Sequence, residues 1–362
     1  MHPKFATQLN NLLTSAVLQS RFSGVVLVRQ GEVNLYRRAF GMANRTWCIK
    51  NLPETRFRIA SVGKLFTAAA VMQLVERGAI SLESRMVETL QLDREYSAHT
   101  FSHDITVRHM LSMTSGIADY VDEDAEDFDA VWADFCRVHP LYLLRENRDY
   151  LPIFDSLPAL QPPDVGFKYC NAGFILLGLV IEKASGMPYF DFIANNIFQP
   201  AGMTGSSFSA LDSCEANIAE GYISTLDRYG QVNGWKKNIY ATTAGGAADG
   251  GSTNTADDLV RFIDALLEGR LCGMDYVRMM LTAQVSERQE LLSGYHSMYG
   301  FGCYLLLDDN NQLVRWGHTG EEDGVSCRLY HYPTLDADVV VLGNQGGCAG
   351  SIAWEIHDLL LE

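Results

Sequence analysis

The stretch Ile59-Ala-Ser-Val-Gly-Lys-Leu-Phe-Thr-Ala-Ala-Ala-Val-Met-Gln-Leu-Val-Glu-Arg-Gly78 decides how the chain is read. It predicts one helix. Ser61 stands at its start, where a hydroxyl can cap free backbone N–H groups. Ala68, Ala69, Ala70, Met72, Gln73 and Leu74 favour the helix, and Gly78 is a natural stop. After Lys64 the next charge is Glu76, so the middle turns are apolar all round, as in a buried helix. Ser61 and Lys64 fall one turn apart on one face. Two readings are open: a capping serine followed by a snorkelling lysine, or a nucleophile beside a desolvated lysine that takes its proton.

Immediately upstream, Arg56-Phe-Arg-Ile reads as a short strand feeding the helix, with Phe57 and Ile59 on one side. Further back, Phe5, Leu9, Leu12, Leu13, Ala16 and Val17 recur at helical spacing and predict an amphipathic first helix. Gly24 to Gln30 reads as a buried strand, Gly31-Glu32 as a turn, and Val33 to Phe40 as the second strand of a hairpin. Between Ser81 and Tyr240 helices and loops dominate, and the Tyr222–Tyr240 loop is expected to shape the pocket. Strands return at Gly300–Leu307, Leu313–Trp316, Ser326–Tyr332 and Ala337–Leu342, before a C-terminal helix over Ile352–Leu361. The expected fold is therefore α+β. An antiparallel sheet from both chain ends, residues 1–80 and 241–362, is flanked by helices, with an all-helical subdomain inserted over residues 81–240.

With 362 residues, 47% hydrophobic and 20% charged, the chain can bury a substantial core. A net charge of −16 argues against nucleic acid or an anionic membrane surface as partner. Met1 to Arg21 does not read as a signal peptide, because Gln8, Asn10, Asn11 and Thr14 interrupt any apolar run. No stretch reaches the ~20 apolar residues that span a bilayer. The expected location is the cytoplasm. The eight cysteines show no short paired spacing and read as reduced, mostly buried thiols. Neither Cys-x-x-Cys nor His-Glu-x-x-His occurs, so no metal is expected. Gly245-Gly246 and Gly250-Gly251 lack the Gly-Lys-Ser/Thr of a phosphate cradle and predict close backbone packing instead. The acidic run from Asp119 to Asp129 reads as a solvated surface loop.

Three short motifs stand in order along the chain: Ser61-x-x-Lys64, Tyr169-x-Asn171 and His318-Thr319-Gly320. They come from a buried helix, the inserted region and the final sheet, as a site between two subdomains requires. With their flanks, Arg56-Phe-Arg-Ile-Ala-Ser-Val-Gly-Lys, Ile105-Thr-Val-Arg-His-Met-Leu-Ser-Met-Thr-Ser-Gly and Tyr169-Cys-Asn-Ala-Gly-Phe-Ile-Leu-Leu-Gly, the sequence resembles the serine β-lactamase and penicillin-binding-protein superfamily. The likeness is strongest to its class C branch, which also holds carboxylesterases, D-aminopeptidases and DD-peptidases. That resemblance implies a β-lactamase/transpeptidase-like fold and an acyl-enzyme on Ser61. Lys64 and Tyr169 would share general-base duty, the ammonium holding the phenol toward its ionised form. Asn171 would bond Lys64 or the substrate amide. His318, Thr319, Gly320 and Glu321 would border the substrate, with the N–H groups of Ser61 and Glu321 as oxyanion hole. No cofactor is implied.

Departures bear on the substrate. His318 stands where lactamases carry lysine, and is a weaker, partly neutral anchor for a carboxylate. Glu321, Glu322 and Asp323 follow it, either as a solvated turn or as a pocket border that repels carboxylates and favours cations. Met113 replaces a frequent histidine and Gly63 a frequent serine. The expected activity is hydrolysis of a small ester, with a D-amino-acid peptidase second, a β-lactamase third, and a silent scaffold as the rival from another class.

Overall fold

The computed structural model describes residues 2–92 and 99–362. Its large sheet has eight strands: β1 (Gly24–Gln30), β2 (Val33–Phe40), β3 (Val285–Ser286), β4 (His296–Tyr299), β5 (Tyr304–Leu307), β6 (Leu313–Glu322), β7 (Val325–Tyr332) and β8 (Ala337–Gly343). They lie in the order β2-β1-β8-β7-β6-β5-β4-β3, with every neighbouring pair antiparallel. The two chain ends meet at the β1–β8 pair, where Gly24 lies opposite Gly343 and Gln30 opposite Ala337.

Alternation along these strands divides the interior into two cores. Val26, Val28, Val339 and Val341 point to an outer core, together with Phe5, Leu9 and Leu13 of α1 (His2–Leu18) and Ile352, Ile356 and Leu360 of α7 (Gly350–Leu361). Val25, Leu27, Val340 and Leu342 point to the larger inner core. There they meet α2 (Lys64–Glu76) and α6 (Ala256–Leu267), which is capped by Thr255. The amphipathic first helix and the sheet from both ends are thus as the apolar spacing predicts.

The intervening chain carries α3 (Phe128–Val138), α4 (Asn147–Phe154) and α5 (Asn171–Ser185). It also contains a hairpin, Tyr222–Leu226 paired with Val232–Lys237, where the sequence suggested a loop. Among the described residues no single helix is long and apolar enough to cross a membrane. All eight cysteines are free thiols, five of them buried.

The opening stretch differs from its sequence reading in one respect. It is not one helix: Ala60–Gly63 forms a 3₁₀ turn, and the α-helix begins at Lys64. Ala60 has φ +46°, a left-handed conformation that a regular helix cannot contain. From Lys64 to Leu74 every residue is buried, as the lack of polar positions predicts.

Candidate active site

Ser61 sits in that turn, and its hydroxyl caps neither the turn nor α2. Two backbones clasp the turn instead. A Cβ on Gly250 would come within 2.4 Å of the Ala60 carbonyl oxygen, and one on Gly320 within 2.2 Å of that of Ile59. Only glycine admits approaches this close. The glycine-rich loop therefore packs against the serine turn, as expected, and Gly63 serves the same contact: its Cβ would lie 3.1 Å from Gly250 Cα. The left-handed Ala60, held between them, is strain stored next to the serine.

Lys64 is fully buried one turn below. Its Nζ lies 2.9 Å from Ser61 Oγ, 2.7 Å from Asn171 Oδ1 and 2.7 Å from the Asp249 carbonyl oxygen. Burial lowers its pKa, and the charges of Asp249, Glu123 and Asp119 offset this only in part. A neutral amine has two N–H donors and one lone pair. Nζ donates all three of these hydrogen bonds; on losing a proton it would keep two donors for Asn171 and Asp249 and turn a lone pair to the Ser61 hydroxyl. Asn171 is fixed from both ends: its Nδ2 donates to Glu123 Oε1 at 2.5 Å, and its backbone N–H to Asp119 Oδ2 at 2.6 Å. Asp119 also accepts from the Ala172 N–H at 2.9 Å, so it caps the first turn of α5.

Tyr169 is half-buried, with its ring centroid 5.0 Å from Lys64 Nζ and its hydroxyl hydrogen-bonded to Ser61. Desolvation, reinforced by Glu123, Tyr304 and Tyr299, raises its pKa well above the usual phenol value. Burial thus works against the expected ionised phenol and favours the neutral form. Met113 lies beneath this motif, in left-handed conformation at φ +59°, and its Sδ accepts the Cys170 N–H at 3.3 Å.

The third motif lies inside β6 rather than beyond a strand end, because pairing continues to Glu322 opposite Val325. His318 is fully buried; its Nε2 lies 3.1 Å from the Tyr299 hydroxyl and its Nδ1 2.6 Å from the Thr319 carbonyl oxygen. Burial, then the Lys64 charge, lowers its pKa to about 3. The expectation of a partly charged anchor is corrected: at neutral pH the imidazole is uncharged, and it does not line the cleft. Thr319 faces a separate cavity of about 170 Å³ beside Tyr304 and Arg315, and Gly320 packs on the serine turn. Of the residues expected to contact substrate, only Asn171 and Glu321 line the cleft with Ser61.

That cleft encloses about 450 Å³. Its wall contains Glu123 and Asp129 from the acidic loop: most of the run is solvent-exposed, as expected, but it also borders the serine cleft. Spacing alone could not show that, although the Asp119-Tyr120 pair, separated by two residues from the Thr114-Ser115-Gly116 turn, was the available signal. Asp249, also unforeseen, joins them, and its carboxylate accepts the Tyr120 hydroxyl at 2.6 Å. Glu321, Glu322 and Asp323 border the same space. Glu321 pairs with Arg328 at 2.7 Å, and Glu322 lies 3.7 Å from Arg58. Tyr120, Phe128, Trp132 and Tyr150 supply aromatic wall. The Tyr222–Lys237 hairpin does not line the cleft; Thr242 and Thr243, just after it, do. Among the described residues no group of three or more His, Cys, Asp or Glu side chains is arranged to hold a metal ion.

The fold agrees with a family comparison. The model of the β-lactamase family matches residues 9–358. The chain belongs to the β-lactamase family. It is 34% identical to a penicillin-binding protein of Bacillus halodurans of known structure, with a TM-score of 0.85 over 96% of this chain and 99% of that one. It is 28% identical to penicillin-binding protein 4* of Bacillus subtilis over 93% of this chain and 71% of that protein. It is 29% identical to esterase EstB of Burkholderia gladioli over 72% of this chain and 70% of the esterase. As a member of this family the chain has hydrolases among its relatives, and its sheet flanked by helices is the family's fold.

Proposed function

We propose that the protein is a serine hydrolase that cleaves a small ester or amide through an acyl-enzyme on Ser61, with esters favoured. The observation that carries this reading is Lys64: buried, lowered in pKa, and 2.9 Å from Ser61 Oγ with its other contacts filled by acceptors. Ser61 attacks the carbonyl carbon while its proton passes to the Lys64 amine. The oxyanion forms beside the backbone N–H groups of Ser61 and Glu321, on strands of chain held together by the Gly320 contact. As the intermediate collapses, the neutral Tyr169 hydroxyl gives its proton to the leaving oxygen or nitrogen and regains one from Lys64. In the second half-reaction a water loses its proton to Lys64, attacks the acyl carbon, and the proton returns to Ser61 Oγ.

An ester demands least of this machinery, because its leaving group needs little help from Tyr169. The uncharged His318 and the acidic cleft both disfavour the carboxylate of a β-lactam. The same acidic wall favours a D-amino-acid amide as the second reading. Purified protein assayed on p-nitrophenyl acetate and butyrate, D-alanine p-nitroanilide and a chromogenic cephalosporin, each against Ser61→Ala, tests the order. Ester turnover that leads, after correction for uncatalysed rates, and vanishes in Ser61→Ala supports it. Faster turnover of the anilide overturns it.

A further inference from the structure

Among the described residues six carboxylates line the catalytic cleft, Glu123, Asp129, Asp249, Glu321, Glu322 and Asp323, and no lysine, arginine or histidine does. Most already have an internal task. Glu321 and Glu322 face Arg328 and Arg58, Asp249 accepts from Tyr120, and Glu123 holds Asn171. Asp129 and Asp323 have no ion pair among the described residues, although the Lys236 charge acts on Asp323. Both stand at the aromatic end of the cleft. Phe128 and Trp132, one turn apart on α3, stack at 15° with centroids 6.4 Å apart, and Trp132 donates a hydrogen bond to Asp323. Burial raises the Asp323 pKa, the Trp132 hydrogen bond and the Lys236 charge offset this in part, and Asp129 and Glu322 add to it.

Resting on the hydrolase reading above, we propose that the substrate carries an organic cation, an ammonium group, seated against Phe128 and Trp132 between Asp129 and Asp323. Two independent features of the one cavity converge on this. Aromatic faces attract cations through the ring quadrupole, most strongly for tryptophan, and they suit a diffuse alkylammonium better than a small hydrated ion. The half-buried Asp323 adds Coulomb attraction that water screens only in part, and the exposed Asp129 adds a more strongly screened share. The same wall repels a carboxylate-bearing competitor, so selectivity comes from both attraction and exclusion.

The test compares three p-nitrophenyl esters of matched length: 4-(trimethylammonio)butyrate, its uncharged isostere 5,5-dimethylhexanoate, and the glutarate monoester. Relative to uncatalysed hydrolysis, the cationic ester should exceed the neutral one in kcat/KM by about tenfold, and the anionic ester should trail both. The preference should narrow in high salt. Replacing Asp129→Asn with Asp323→Asn together should cut the cationic-to-neutral ratio roughly fivefold, a readout that a folding defect, which lowers both rates, does not produce. A ratio of one or less in the wild-type protein, or a ratio untouched by the double substitution, overturns the proposal while leaving Ser61 hydrolysis intact. If no ester is turned over, the hydrolase reading fails first. Calorimetric binding of the same esters to Ser61→Ala then decides the proposal: tighter binding of the cation supports it, and equal or weaker binding overturns it.

Discussion

The two faces of the central sheet use the same strands for opposite ends. On the outer face Val26, Val28, Val339 and Val341 meet the apolar sides of α1 and α7. The one buried cation toward this side, Arg315, is closed in: its guanidinium lies 4.2 Å from the Tyr330 ring and 4.3 Å from that of Trp354, and it donates to the Tyr332 hydroxyl. One residue along each strand, the inner face packs just as tightly against α2, yet buries Lys64 and opens it on Ser61 and a cleft walled by carboxylates. Burying a charge costs free energy wherever it occurs. The outer face holds its charge between aromatic rings; the inner face leaves its lysine with lowered proton affinity and a hydroxyl within reach. The difference separates groups that hold the fold from groups that do chemistry.

Substitutions at Ser61 and Lys64 break this contrast most sharply. Ser61→Ala should lower ester hydrolysis by roughly a thousandfold or more, with little change in melting temperature, because the hydroxyl caps no helix. Lys64→Met should lose activity on the same order. By contrast Val341→Ala, on the outer face, should cost about 1–3 kcal/mol of stability and leave kcat/KM of the folded protein near that of the wild type. Chemical denaturation and steady-state rates on the same three proteins measure both axes.

Gly250→Ala probes the clasp around the serine turn. Its Cβ would stand 2.4 Å from the Ala60 oxygen, so the turn must shift, and kcat should fall at least about tenfold. A variant with wild-type kcat would show that the turn tolerates displacement. Asp119→Ala removes the carboxylate that caps α5 and seats Asn171. It should cost about 1–2 kcal/mol of stability together with some activity, whereas loss of one without the other would separate the cap from the site.

His318 sharpens the comparison through pH. Its pKa is about 3 in the folded protein against 6.5 when unfolded. Between those values the unfolded chain binds the extra proton, so stability rises with pH across this window and is complete above it. The contribution of this group should approach a slope of about 1.4 kcal/mol per pH unit. His318→Phe should flatten the profile between pH 3 and 6.5 relative to the wild type. Parallel curves would contradict the burial argument.

Much of this was legible in the sequence, for identifiable reasons. Alternating valines place β1 and β8, and an unbroken apolar run places α2 in the core. Ser61, Lys64, Tyr169 and Asn171 could be named because each sits in its own flanking signature. What stayed hidden depends on contacts between distant segments. The left-handed Ala60 arises from Gly250 and Gly320 pressing on the turn, and nothing adjacent to Ala60 announces it. Asp119 and Glu123 read as solvent-facing because acidic runs usually are; only the fold brings them onto Asn171. His318 looked like a partly charged group at the pocket edge, but its protonation is set by burial and then by the Lys64 charge.

The most direct measurement of the central claim is intact-protein and peptide mass spectrometry after brief exposure to a fluorophosphonate. The account predicts one covalent adduct, on the peptide bearing Ser61, formed faster as pH rises and Lys64 loses its proton, and absent in Ser61→Ala. An unlabelled, folded wild-type protein, with a known serine hydrolase labelled alongside, would contradict it, as would an adduct that persists in Ser61→Ala.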